Sequence, residues 1–496
     1  MLALNKAKLH EYTKCLQNLI VLCRNDIHDY KIDHVTNNST KVKNNSIFVA
    51  IKGVAADGHA YIEDAILKGA SVIIFQNDSI QNFKDDIIYI KVTDSYYAYS
   101  LIVAKYYDNP AEKLKLIGIT GTNGKTTSAY LIYNILKYAG KEVGLISTIN
   151  YRYADKIIEA SRTTPEAFEL QYLFSEMLAA GCEYVVMEVS SHALDQHRIS
   201  NVKFEAALFT NLTGDHLDYH QTMENYFNAK KLLFDKYLRN DSVAIINEDD
   251  VYGRRLLNDT KNCFVKSYGA NYNSDYKIIL NDCNSDCCIS GVEIDNKFVE
   301  FRSNLIGWYN AYNITGAFTV CSEIGISIDI IVEAFSMQMN VPGRLEMVCS
   351  RTSTKYFVDY AHTDDALMRV LTAMKKLNPE NLIVVVGCGG DRDKSKRPRM
   401  GKVASMIADK IIITSDNPRT ENPGEIIEDI MVGVDKSKDI SVIENRKKAI
   451  IHAVNISRDY DIVIVAGKGH ENYQDINGIK YHFSDVEILE EAIKNK

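Results

Sequence analysis

The stretch GITGTNGKTT, Gly118 to Thr127, sets Lys125 and Thr126 behind two closely spaced glycines. It follows the apolar run LKLI and precedes the helical pattern SAYLIYNILKYAG. A turn between a strand and a helix aims backbone N–H groups and the positive end of the helix at one point, which suits a polyphosphate. Gly121 and Gly124 permit close backbone approach, Lys125 supplies a cation, and the Thr126 hydroxyl can bind Mg2+. Gly118 stands one residue too early for strict Walker spacing. Ala129, Ile132, Tyr133 and Leu136 recur at i, i+3, i+4 and i+7, and Gly140 ends the pattern, so a helix is expected. The plainer alternative is a glycine turn with an incidental lysine; GKTT at this junction favours nucleotide binding.

Other groups stand where they could share that chemistry. YVVMEVS places Glu188 at the carboxyl end of a strand, and AALFT is followed by Asn211 and His216. Open α/β sheets gather ligands at strand ends, so these oxygen and imidazole donors can face the phosphates through magnesium. In ENYFNAKKLLF, Lys230 shares a helical face with Tyr226, Leu233 and Phe234, and an amine on an apolar face loses its proton more easily. SDNPRTENP puts Asp416, Asn417, Pro418 and Arg419 after the strand KIIIT, where a planar guanidinium can clamp a carboxylate bidentately.

The elements that must position these residues fall into three segments. Residues 1–108 mix short strands (SIFVAIKG, ASVIIF, IIYIKV) with a helix around YIEDAILKGA, and YYDNPAEKL is a turn-rich joint. Residues 109–340 alternate apolar strands with helical periods, which implies a mostly parallel sheet covered by helices. After a joint at MNVPGRLEMV, residues 341–496 repeat that alternation as a second doubly wound unit. The expected class is α/β in three domains: a small N-terminal α/β domain, a central phosphate-loop domain and a Rossmann-like C-terminal domain. At 496 residues the chain exceeds a single core. Its net charge of −8 argues against a general nucleic-acid surface, and no apolar run is long enough to span a bilayer. The N-terminus lacks the layout of a signal peptide, so a cytoplasmic protein is expected. The ten cysteines are scattered; CNSDCC (Cys283, Cys287, Cys288) lacks zinc spacing, and reduced thiols are expected.

The form GxxGTxGKT resembles that of the Mur ligases and folylpolyglutamate synthases, which make amide bonds through an acyl phosphate. MEVSSHALDQHRIS, TNLTGDHLDYH, LIGWYNAYNITGA (Asn310, Asn313), VPGRLE (Arg344, Glu346) and VDYAHTDDAL (Asp359, His362) extend the resemblance along the chain. It implies that Gly121, Thr122, Asn123, Gly124, Lys125, Thr126, Thr127, Asn310, Arg344 and Asp359 contact ATP, with Lys125, Glu188, His216 and Lys230 catalytic. It also implies Mg2+ held by Thr126, Glu188, His216 and Lys230, the lysine being carbamylated, and closure of the third domain over the nucleotide.

Within that family the motifs look like those of the branch adding the third residue of the cell-wall peptide. The implied substrate is UDP-N-acetylmuramoyl-L-alanyl-D-glutamate, met by Ser39, Thr163, Thr164, Ser190, Gln196 and Arg198. Pro165 is expected to open a helix with the apolar stripe Leu170, Leu173, Phe174, Met177 and Leu178. DNPR marks relatives that add meso-diaminopimelate rather than lysine, and the resemblance adds Arg392, Gly467 and Glu471 to Asp416, Asn417, Pro418 and Arg419 as its contacts. The chain departs from the family pattern at Asn38-Ser39-Thr40 (usually DSR), Arg162 (often asparagine) and Asp364 (usually proline). Small-molecule substrates and a monomer are expected. A lysine-adding ligase of the same family and a divergent nucleotide-binding paralogue stay open as alternatives. A GTPase lacks its NKxD signature here, and GCGGDR lacks the third glycine of a dinucleotide fingerprint.

Overall fold

In the computed structural model three sheets stack helices on their faces. The structure describes every residue except 1–7, 26–30, 54–55, 78–79, 81, 272, 285–286, 338 and 349–352. Residues 1–7 of the stretch read for a signal peptide therefore lie outside the described residues.

The first unit is a five-stranded sheet in the order Ile20–Arg24, Ile88–Val92, Ala70–Phe75, Ser46–Val49, His34–Thr36, parallel except for the first pair. Its helix Ser95–Tyr106 shares a core with Ala167 and Phe168 of the next unit. The central sheet has eleven strands. Seven are parallel, from Tyr276–Cys283 through Phe264–Gly269, Leu238–Asn247, Phe204–Phe209, Lys115–Thr120 and Tyr184–Glu188 to Val143–Ile146. Their near-continuous apolar runs are what burial on both faces requires. Helices Lys125–Tyr138 and Trp308–Glu323 cover one face; Ala167–Ala179 and Met223–Lys236 cover the other.

The sheet is wider than the apolar runs imply. Antiparallel strands Asn150–Tyr153 and Lys156–Glu159 extend one edge, and Cys288–Ile294 and Lys297–Ser303 the other. These edge strands are partly polar, so the continuous apolar run that flags a buried parallel strand is missing. The second edge corrects the expectation of reduced thiols throughout. Cys283 and Cys288 face each other across an antiparallel pair with Cα atoms 4.1 Å apart, and they are joined as a disulfide.

The third unit orders its strands Glu346–Met347, Lys355–Asp359, Ile462–Ala466, Leu382–Val386, Lys410–Ile413, Asp439–Val442, all parallel but the first. A separate hairpin, Tyr473–Ile476 with Ile479–His482, stands beside it. Behind the sheet's carboxyl end lies a fully buried ion pair: Arg446 Nε and Nη2 donate to Asp485 Oδ1 and Oδ2 at 2.8 and 2.7 Å. Asp485→Ala strands the guanidinium, so a loss of about 3–5 kcal/mol is expected, read as a lower denaturation midpoint.

Candidate active site

The phosphate loop leaves the strand Lys115–Thr120, which lies between the strands ending at Glu188 and Phe209. Glu188 and the Thr210–Asn211 turn therefore flank the loop, as strand-end geometry requires. Asn211 Oδ1 accepts from Asn123 N at 3.0 Å and Thr210 Oγ1 donates to Asn123 O at 2.6 Å. Gly124 has φ +88°, and a Cβ there would lie 2.2 Å from Asn313 Oδ1. Lys125 Nζ donates to the carbonyls of Gly121 and Thr122 at 2.9 and 2.8 Å. Lys230 Nζ, from the helix Met223–Lys236, donates to that same Gly121 carbonyl at 2.8 Å and lies over the Tyr226 ring. Burial first, and the Lys125 charge second, push Lys230 well below an ordinary lysine.

Glu188 is completely buried. Its carboxylate accepts from Thr148 N at 2.8 Å and Thr148 Oγ1 at 3.0 Å. His216 is the left-handed residue ahead of the short helix Leu217–His220; burial lowers its basicity, so the ring is neutral. Beside it burial pushes the Asp215 carboxyl up, but the Lys125 charge and the His216 N–H it accepts at 2.9 Å help hold it below the usual range. Carboxylate and hydroxyl oxygens and a neutral imidazole suit a hard divalent cation by type, while no three His, Cys, Asp or Glu side chains among the described residues gather to hold one by themselves.

The third unit reaches the loop directly. Arg344 Nη2 donates to Thr126 Oγ1 at 3.0 Å, and its Nε is buried with no protein partner. An unpartnered guanidinium N–H beside a phosphate loop fits an anionic oxygen. Asp359 accepts from Leu345 N and Ala361 N and is pushed up to about 6 by burial. It thus shapes the loop carrying Arg344. Asn310 ties the helix Trp308–Glu323 to Ile306 O and accepts from Asn313 Nδ2. Asp365 Oδ2 accepts from Asn123 Nδ2 at 2.9 Å, so two units meet at the loop.

A cavity of about 890 Å3 opens between the central and third units, lined among others by Thr163, His216, Arg392, Asp416, Arg419 and Glu471. Asn417 and Gly467 line it too. Asp416 is buried with Oδ2 unbonded; burial pushes its carboxyl up, but Lys468 and Arg446 outweigh this and hold it below the usual range. A Cβ on Gly467 (φ +119°) would lie 2.6 Å from that oxygen. Arg419 Nη1 donates to Gly390 O at 2.6 Å, joining the Pro418–Arg419 turn to the loop that carries the exposed Arg392.

The contacts expected for the dipeptide substrate are more committed than the sequence suggests. Helix Ala167–Ala179 has Glu166 at its N-cap, so Pro165 precedes the helix rather than opening it. Thr164 Oγ1 donates to Glu188 O and accepts from Ser190 N, which locks the strand end instead of capping a helix. Ser190 caps Ser191–Asp195, and Gln196 Oε1 accepts from Arg198, itself tied to Glu166 and Thr164 O. Arg162 is also placed against Glu166, at 3.4 Å. Ser39, buried, begins a 3-10 turn in the first unit capped by Asn38; Val54 and Ala55, later in the same unit, lie outside the described residues. Thr148, Asp365, Lys468 and His470 carry no signal of their own in the sequence, although GKGHE contains two of them.

These features define a nucleotide-dependent α/β enzyme in which the central and third units meet at a phosphate loop. The Mur ligase middle domain matches residues 119–321, the Mur ligase glutamate ligase domain 343–469, and the Mur ligase family catalytic domain 31–107. UDP-N-acetylmuramoyl-L-alanyl-D-glutamate–2,6-diaminopimelate ligase 1 of Clostridium acetobutylicum is 44% identical over 94% of this chain and 95% of its own. The ligase of that name from Aquifex aeolicus is 42% identical over 93% and 94%. A solved structure of such a ligase is 29% identical with a TM-score of 0.70, covering 99% of both chains. The MurF ligase of Thermotoga maritima in complex with ADP shares the fold, with a TM-score of 0.61 at 18% identity over 93% of this chain and 97% of its own. The chain belongs to the Mur ligase family.

A left-handed residue with a side chain costs about 1–2 kcal/mol. Gly124→Ala also meets Asn313, so calorimetry with an ATP analogue is expected to show binding weakened by about tenfold or more.

Proposed function

We propose that this protein is the ATP-dependent ligase that joins meso-2,6-diaminopimelate to UDP-N-acetylmuramoyl-L-alanyl-D-glutamate, in peptidoglycan precursor synthesis. The observation that carries the reading is one cavity shared by two kinds of group. Near the phosphate loop it offers His216 and Thr163; at its other end Asp416, Asn417, Arg419 and Glu471 form a cradle with both charge signs. An amino-acid head group needs that combination: carboxylates for its ammonium, guanidinium and amide donors for its carboxylate. Diaminopimelate carries such a head group beyond its reacting amine, and lysine lacks the second carboxylate. Relatives of 42–44% identity carry this activity in their names.

Lys125, the loop N–H groups and Arg344 Nε hold the phosphates, and the γ-phosphoryl passes to the D-glutamyl carboxylate. The resulting acyl phosphate is attacked by the free amine, and phosphate leaves from the tetrahedral intermediate. Mg2+ on Thr126, Glu188, His216 and a carbamylated Lys230 would supply charge neutralisation. The chain's own contribution is placement and dryness. Asn123–Asp365 and Thr126–Arg344 draw the third unit onto the loop and shield the acyl phosphate from water. Two units of one chain line the cavity, which supports a monomer as the working form. No helix among the described residues is long and apolar enough to cross a membrane, which suits work on soluble nucleotide-linked substrates in the cytoplasm.

Purified enzyme given ATP, the muramoyl dipeptide and either amino acid should form the tripeptide with diaminopimelate and little with lysine. Strong lysine turnover, or ATP consumption without a new amide, overturns the reading. Lys230 should carry a carboxylate: native mass spectrometry is expected to show an added CO2, lost on decarboxylation at low pH. Lys230→Ala should be inactive and partly rescued by small carboxylic acids.

A further inference from the structure

Lys468 lies between the cradle residues without lining the cavity. Its Nζ is fully buried and donates to Asn417 Oδ1 at 2.9 Å and Glu471 Oε2 at 3.0 Å. Asp475 N donates to the same Asn417 oxygen at 3.0 Å. An ammonium only donates, so this fixes which end of the Asn417 amide is oxygen. Asn417 Nδ2 then donates to Glu471 Oε2 at 2.8 Å, and Glu471 lines the cavity.

The hairpin Tyr473–Ile476/Ile479–His482 completes the brace. Arg419 is left-handed at φ +51°, a conformation a side chain rarely holds unaided. Two backbone bonds hold it: Arg419 N to Asp475 O at 3.0 Å, and Asn477 N to Arg419 O at 2.8 Å. Gln474 Nε2 donates to Asp416 O at 2.6 Å. Asp416, Asn417 and Arg419 are therefore each held from behind by Lys468 or the hairpin.

We propose that Lys468, with the hairpin strand Tyr473–Ile476, is a positioning unit for amino-acid selection: it sets Asn417, Glu471 and Arg419 in the one arrangement that receives a second amino-acid head group. It touches no reacting atom and acts through those three residues and through Asp416, which Gln474 holds. The inference rests on the diaminopimelate reading above.

Kinetics of the full-length enzyme test it. Lys468→Met is expected to raise KM for diaminopimelate by about tenfold or more while KM for ATP moves less than about twofold. The preference for diaminopimelate over lysine, as a ratio of kcat/KM, should fall by a similar factor. Gln474→Ala removes a half-exposed tether without stranding a buried charge. It should show the same selective rise, about threefold or more, even where Lys468→Met fails to fold. A loss of kcat with all three KM values unchanged, or KM values rising together, marks a merely structural role and overturns the proposal. If the unaltered enzyme makes no diaminopimelate tripeptide, the functional reading itself has failed. If it does and Gln474→Ala keeps its KM, only this inference has failed.

Discussion

Two lysines donate to one carbonyl oxygen. Lys125 comes from the phosphate loop itself and Lys230 from a helix across the sheet, and both end on Gly121 O. Two ammonium groups brought together out of water repel strongly, because burial removes the solvent that would screen them. The arrangement is tolerable when one lysine loses its proton or gains a negative group. Lys230, pressed against Tyr226 and pushed furthest down, is the one that gives way. A phosphate loop alone would bind a nucleotide in many contexts. The second lysine sets this loop apart, because it places a second buried amine on the loop's own Gly121 carbonyl.

The same strand ends that gather the phosphate groups also decide where the second substrate must lie. The central and third sheets present their carboxyl ends to a shared cavity, and the contacts that tie them at the loop are polar: Asp365 on Asn123, Arg344 on Thr126. Small polar interfaces between domains permit relative motion. Each of these contacts lands on a residue of the phosphate motif.

Much of this is legible in the chain. Glu188, His216 and Lys230 stand out because strand ends and helix faces leave periodic traces, and DNPR does so because its strand KIIIT is unmistakable. Thr148 leaves no such trace. It follows the short strand Val143–Ile146 within VGLISTIN, where a threonine passes for an ordinary strand-end residue. Its role emerges only when Glu188, from a neighbouring strand distant in sequence, meets its N–H and hydroxyl. Lys468 is hidden for a similar reason: a lysine in a glycine-rich turn reads as solvent-exposed until the fold buries it between Asn417 and Glu471. The helix near Pro165 begins later than the proline predicts, because a proline at the first helical position and one just before an N-cap look alike in sequence.

The three departures from the family pattern show how geometry can outlast residue identity. Asn38 replaces an aspartate, yet its Oδ1 accepts from Thr40 N at 2.9 Å, and asparagine caps a turn about as well as aspartate. Asp364 replaces a proline at the first position of the helix Asp364–Lys375, behind the N-cap Thr363. A carboxylate there favours the positive helix end, and it adds an ion pair to Arg399 at 3.0 Å, so rigidity is exchanged for charge. Arg162 shares Glu166 with Arg198, placing a second cation where the relatives often have a neutral amide. Two of the changes thus preserve a cap or a helix start. Arg162 and Asp364 both line the cavity, so these two changes also alter the charge of its wall.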